Sequence, residues 1–337
     1  MSITRRALIW VGMASIMLAG VGESHAQIGY EASSLEWLVG DSDVVVRGTI
    51  ADVWRRETSG KDKLTVTVDV RETLKGQATK RLKFVVYIFP VDKTFDELRD
   101  TSQEAMFFLV RAERHDWKAE ILGKGVHVAT ELEPHEVSPW DWRQSIVRLG
   151  PPAAERRLTL PIFTVDLTLL TKPDEVLRAA RAVAVEGGKA ERVRLHEVPL
   201  FYDVMRVTGK SGDANVLYVP INGRLEAAAR AWIKSPGDIL RRLGIARPEG
   251  VNHRWSLTDP LRLEGVRALG YFKSDENIVI LKGLLDDDAF THRKIEEGKQ
   301  AGNSEKVYYI RKEAFEMLRR WGVQVNEPVL KELLPQK

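Results

Sequence analysis

At 337 residues, 44% apolar and 29% charged, with a formal net charge of only +3, the chain has the composition of a globular protein of two or three domains. That charge excludes the strong basic excess of a nucleic-acid partner. The absence of cysteine excludes disulfide staples, thiol catalysis and lipidation at a leader cysteine, so the fold must be held by its cores.

The first element is a leader. "MSITRR" sets two arginines ahead of an apolar run from Ala7 to Gly22, and Ser24 and Ala26 supply the small residues of a cleavage site, so a signal peptide over 1–26 cleaved after Ala26 is expected. A helix over that run would be about 24 Å long, short of the roughly 30 Å hydrocarbon core, and no stable membrane span is expected after cleavage. Thr4 to Leu8 also fits a twin-arginine leader, so the export route stays open. Loss of Arg5, Arg6 and Glu23 removes two positive charges and one negative, taking the net charge from +3 to +2. The mature chain is expected in the periplasm or outside the cell.

Residues 27–150 read as β-rich: "DVVVRGTIADVW" at 43–54, "KLTVTVDVRETLKG" at 63–76, "RLKFVVYIF" at 81–89 and "EAMFFLVRA" at 104–112. Leu64, Val66, Val68 and Val70 alternate with Thr65, Thr67, Asp69 and Arg71, which puts one face on a core and the other in water. Gly60 and Gly76 fall at connections, where positive φ is cheap. A small closed antiparallel barrel would leave such strands without open edges. "HDWKAEILG" and "GVHVAT" could supply two more strands to close it.

"VVVRGTI", "VTVDVRETLKG" and "MFFLV" resemble the successive strands of OB-like, netrin-type barrels of exported proteins, over about 75 residues. The resemblance implies a barrel. It does not imply metalloprotease inhibition, which in the netrin-like group uses an N-terminal cysteine absent here. Lys80, Arg81, Lys83 and Tyr87 are too few for the basic, stacking groove of a single-strand binder. Further on, Trp140 and Trp142 stand two apart in "SPWDWRQS", on one side if extended: an aromatic platform for a sugar, or two large side chains buried against the barrel. Pro151 and Pro152 mark a linker.

An α+β module is expected over 151–220. "LPIFTVDLTLL" reads as one strand, Thr171 can cap, and Pro173 opens a helix that Gly187 and Gly188 stop. Val176, Leu177, Ala180, Val183 and Ala184 share one helical face, which needs a sheet from "ERVRLHEVPLF" and "ANVLYVPI".

Chemical motifs do not accumulate. Gly209, Lys210 and Ser211 echo a phosphate loop, but Val204 stands where its first glycine is required. Asp286, Asp288 and Glu297 take places 1, 3 and 12 of a calcium loop whose turn glycine is replaced by Thr291. The seven histidines form no ligand pair at helical spacing, and no G-x-S-x-G occurs. Nothing in the chain calls for a cofactor.

Residues 221–337 carry a repeat. Laid without a gap on 311–334, residues 262–285 match at eight of 24 positions, at an offset of 49. Leu261, Gly265, Ala268, Leu269 and Phe272 form a helical stripe that Ile310, Ala314, Met317, Leu318 and Trp321 reproduce. Each unit is expected to be an antiparallel helix pair. Asp259 and Pro260, Ser274, and then Asn326 and Pro328 serve as helix starts, and Gly322 as a stop. "DDDAFTHRKIEEGKQAGNSE" accounts for the long spacing, and "RLEAAARAWIKSPGDI" at 224–239 is a blurred earlier copy. The pattern resembles HEAT and armadillo repeats, which implies a protein-binding array.

The expected architecture is therefore α+β multidomain: an OB-like barrel, an α+β module and HEAT-like helices. The expected function is non-catalytic binding of another envelope or extracellular protein. Arg262, Glu264, Arg267, Arg311, Glu313 and Glu316, all outside the stripe, are the candidate partner surface. The alternative is an envelope enzyme or carbohydrate-binding protein with its site near Trp140 and Trp142.

Overall fold

Strand β1 (Glu31–Ser33) leads through Ser34, whose hydroxyl accepts from the Trp37 N–H at 3.1 Å, into the short helix α1 (Leu35–Asp41). The computed structural model describes residues 31–57, 62–88, 98–99, 103–111, 137–139, 145–150, 162–186, 192–196, 216–243, 258–295 and 303–334. The leader, the strands expected at 115–130 and the Trp140–Trp142 segment lie outside them. Next come β2 (Val44–Glu57), β3 (Asp62–Lys75), β4 (Arg81–Ile88) and β5 (Glu104–Arg111), the four expected strands. β6 (Val137–Pro139) and β7 (Ile146–Arg148) both pair with β5, one beyond the other, giving the antiparallel order β4-β3-β2-β5-β6 with β7 beside β5.

The period of two in β3 holds. Leu64, Val66 and Val68 are buried, Asp69 and Arg71 are exposed, and Thr67 is an exception, being buried. β5 is buried on both faces: Ala105, Phe107 and Leu109 join the core inside the curl of the sheet, while Met106, Phe108 and Val110 join a second core under α1. Its continuous apolar run follows from that double burial. Gly76 has φ +74, and a Cβ there would lie 2.2 Å from the Asp43 carbonyl, so this corner requires glycine. The expected closed barrel is not made: among the described residues the hydrogen-bonded sheet is open, although β4 and β6 approach each other.

"LPIFTVDLTLL" is not one strand. β8 (Ile162–Phe163) and β9 (Leu169–Leu170) form a hairpin that turns through Asp166 and Leu167, the latter at φ 62. Asp166 accepts from the Thr168 N–H and hydroxyl and from the Thr164 hydroxyl, a local alternative to an extended backbone that apolar alternation does not reveal. Helix α2 (Pro173–Glu186) follows as expected. Val176, Leu177 and Ala180 are buried, but against α1 and the six-stranded sheet rather than against β10 (Arg192–His196) and β11 (Val216–Pro220). Those two strands pair antiparallel, and β1 adds to β11 in parallel, so the start of the described chain completes this sheet. β11 divides its sides: Leu217 and Val219 enter the helical core, while Tyr218 packs on Trp37 with ring centroids 5.2 Å apart.

The helical region contains α3 (Gly223–Lys234), α4 (Pro236–Arg242), α5 (Thr258–Leu269) and α6 (Asp275–Gly283). Next come β12 (Thr291–Lys294), β13 (Ser304–Val307), α7 (Tyr309–Arg320) and β14 (Lys331–Leu333). Both stripes face one core, with Leu261, Leu269, Ile310, Ala314 and Leu318 at 0% exposure. α5 lies between α3 and α7. Gly265 lets the first two approach, since a Cβ there would stand 2.9 Å from the Ala229 carbonyl. The segment 224–239 expected as a blurred copy falls on the helices α3 and α4, and 262–285 spans most of α5 and all of α6.

The second clear unit departs from expectation. Gly322 stops α7 at φ +75, but the segment from Asn326 to Leu330 forms no helix and leads into β14. The insert between the units supplies the reason. Part of it is strand: β12 and the start of β13 come from it, and β13 offers an edge on which Lys331 and Leu333 pair with Val307 and Glu305. An available sheet edge overrides a helix-start signal.

Candidate functional site

The candidate charges do not form an outward face; most tie the helices and the small sheet together. Arg262, half-buried, reaches Asp259 at 3.3 Å and also Asp287 in the turn after α6. Burial works against its charge, but Asp287 and Asp259 outweigh that and hold the guanidinium more firmly protonated than usual. Arg311 donates to the Asp287 and Val329 carbonyls and stacks 3.9 Å above the Tyr308 ring. Asp287 and its backbone are thus gripped by one arginine from each unit.

Glu264 is only 2% exposed and accepts from Arg267 at 2.6 Å, while Arg267 crosses to Glu313 on α7 at 3.5 Å. Here too burial opposes the charge and the two glutamates prevail, raising the arginine. Glu316 stands 3.7 Å from Lys312 on the solvent side of α7, and both are about half exposed. Arg262 and Glu264, although outside the stripe, lie under neighbouring elements, which sequence spacing does not show.

An equivalent device joins α3 to α6. Arg230 pairs with Glu226 on its own helix and Glu276 on the next unit, and donates to the Asn277 Oδ1 at 2.8 Å. The Asn277 amide, 0% exposed, donates to Glu226 at 2.8 Å and to the Phe272 carbonyl at 2.6 Å. These bonds fix the turn between α5 and α6. In that turn Tyr271 is 54% exposed, and Val279, midway along α6 and one turn from Asp275 and Lys282, is 68% exposed. The sequence does not separate these two from stripe residues, because the whole segment from Val266 to Leu285 is rich in apolar positions.

A second polar junction was not foreseen. Glu36, 5% exposed on α1, accepts from the Val165 N–H of the β8–β9 hairpin at 2.9 Å and lies 3.8 Å from Arg224 of α3. Burial pushes its carboxyl above the ordinary range, against the Val165 bond and the Arg224 charge. Arg224 also pairs with Glu186 at the end of α2, and Arg242 of α4 reaches Asp166 at 3.4 Å. For Asp166, burial is opposed by the two threonine bonds and Arg242, which hold it below its usual value. The hairpin feeds both cores, Phe163, Val165 and Leu167 to one and Ile162 and Leu170 to the other. The junction therefore couples the sheet half to the helical half.

Among the described residues no three His, Asp or Glu side chains gather as a metal-binding group, and no helix is long and apolar enough to cross a membrane. The chain matches no protein-family model, no curated protein and no solved structure.

Proposed function

We propose that this is an exported, non-catalytic protein that binds another envelope or extracellular protein through its helical layer, which we read as a short HEAT-like array beside an OB-like sheet. The contact is the α5–α6 corner. The observation that carries this reading is the pairing of exposed Tyr271 and Val279 with a frame locked by Asn277, Arg230 and Glu226. Apolar side chains held rigidly at a surface lose little entropy on binding and gain desolvation. The leader pattern at 1–26 supports export.

Deleting the helices would be a poor test, since Leu217, Val219, Phe163 and Leu167 share their core. Point changes at the exposed corner suit better. Tyr271→Ser and Val279→Glu should each lower the sedimentation of the tagged chain in an envelope extract without altering its circular dichroism. Unchanged sedimentation for both contradicts the reading.

A further inference from the structure

The β8–β9 hairpin sits at the boundary of two cores on a strained turn. Leu167 at its tip has φ 62 and is only 2% exposed, a left-handed conformation that costs a bulky residue and persists only where its surroundings hold it. Opening the hairpin would relieve that strain. Against opening stand its apolar side chains, which enter a core on each side, and the Val165 N–H, which donates to Glu36 at 2.9 Å.

Glu36 makes this grip depend on acidity. Its carboxylate is buried and stands 3.8 Å from the Arg224 guanidinium, which lies closer to Glu186 at 3.0 Å. Asp166 of the hairpin brings a further negative charge and shares Arg242 at 3.4 Å. Three carboxylates thus meet two arginines at this junction among the described residues. The charged side chains that act on Glu36 are Arg224 and Asp166. The other elements packed on α1 turn apolar or aromatic groups to it: Met106, Phe108 and Val110 from β5, Val176, Leu177 and Ala180 from α2, and Tyr218 from β11. Lys75 of β3 donates to the Val39 and Gly40 carbonyls, at the far end of the helix. A proton taken up by Glu36 removes the buried charge, leaves a carboxyl oxygen to accept from Val165, and leaves Arg224 with Glu186.

We propose that Glu36 is an acid-sensing latch between the two halves of the fold, its protonation tightening the hairpin and with it the joint between the sheet and the helical layer. Burial raises the carboxyl of the closed junction, which therefore binds the proton more tightly than an opened one. Closure gains stability as pH falls from neutrality toward the ordinary glutamate value of 4.5, and loses that gain as pH rises. For Asp166 burial is outweighed by the threonine bonds and Arg242, so its contribution is lost only below its ordinary value of 3.8. Mild acid tightens the junction and stronger acid loosens it.

Hydrogen exchange of the Val165 and Leu167 amides in the full chain, corrected for the intrinsic effect of pH, tests this. Opening should become rarer between about pH 7.5 and about pH 4.5, by at most about tenfold per pH unit, the limit for one proton. The Val66 amide in the middle of β3 serves as the control for global unfolding. Glu36→Gln should make hairpin opening independent of pH over this range. Because Arg224 favours the charged carboxylate, Arg224→Gln should make the fall in opening begin at a higher pH. A flat parent profile, more opening in mild acid, or a fall that E36Q retains overturns the proposal. So does a change that Val66 shares in full, or an R224Q profile that does not move.

Discussion

Replacing Asn277 by leucine tests whether the α3–α6 network holds the proposed binding corner. The two side chains share a branched shape of four heavy atoms, leucine being the bulkier, so the main loss is polar. Three bonds disappear: those to the Phe272 carbonyl (2.6 Å) and Glu226 (2.8 Å), and that from Arg230 (2.8 Å). Arg230 and Glu226 keep each other at 2.7 Å, so their penalty is partial, whereas no other donor to the Phe272 carbonyl is seen among the described residues. At about 1–3 kcal/mol for each stranded buried group, less about 1 kcal/mol for the added apolar burial, the net cost is about 3 kcal/mol. Urea unfolding followed by circular dichroism at 222 nm reads this as a fall of about 1 M in the midpoint of the transition that includes the helices. A cost within about 0.5 kcal/mol, the range of an ordinary surface change, would refute the view that Asn277 locks the corner.

Glu36→Gln keeps an acceptor for the Val165 N–H and removes a buried charge, so at pH 7 the variant should be at least as stable as the parent. The sign follows from the raised carboxyl. A folded state that binds the proton more tightly than the unfolded chain carries a penalty above the folded value, relieved as pH falls toward the ordinary glutamate value of 4.5. The variant's advantage should therefore vanish between neutral pH and about 4.5 in parallel denaturation curves, and an advantage that grows on acidification contradicts the assignment. Gly265→Ala should cost about 1–3 kcal/mol despite alanine's better helix propensity, because the new methyl would meet the Ala229 carbonyl and Ile233 at 2.9 and 2.8 Å. A stabilised variant, by the same unfolding assay, would show that α3 and α5 are free to separate.

Periodicity made part of this fold legible. The alternation of β3, the double-sided apolar run of β5, the buried face of α2 and the stripes of α5 and α7 each repeat often enough to name an element and its inner face. Short elements carry too few repeats. α1 has seven residues, and its Ser34 cap makes sense only once Trp37 is seen against Tyr218. β14 was masked by Asn326 and Pro328, which mimic a helix start, while the edge that captures it lies at Ser304–Val307.

The candidate charges illustrate the same limit, since Glu264 lies off the stripe of its own helix yet is buried by its neighbours. Exposure of Tyr271 and Val279 depends on which neighbouring elements stop short of them. That is a tertiary fact, invisible to local pattern.

The proposed role depends most directly on what touches the α5–α6 corner. A photo-crosslinking residue at Val279, 68% exposed, should capture one discrete envelope protein in cells, in a yield that Tyr271→Ser reduces. The same residue at Arg241 on α4, whose side chain is 79% exposed, should not capture it. Equal capture at both positions, or none at Val279, would contradict the account.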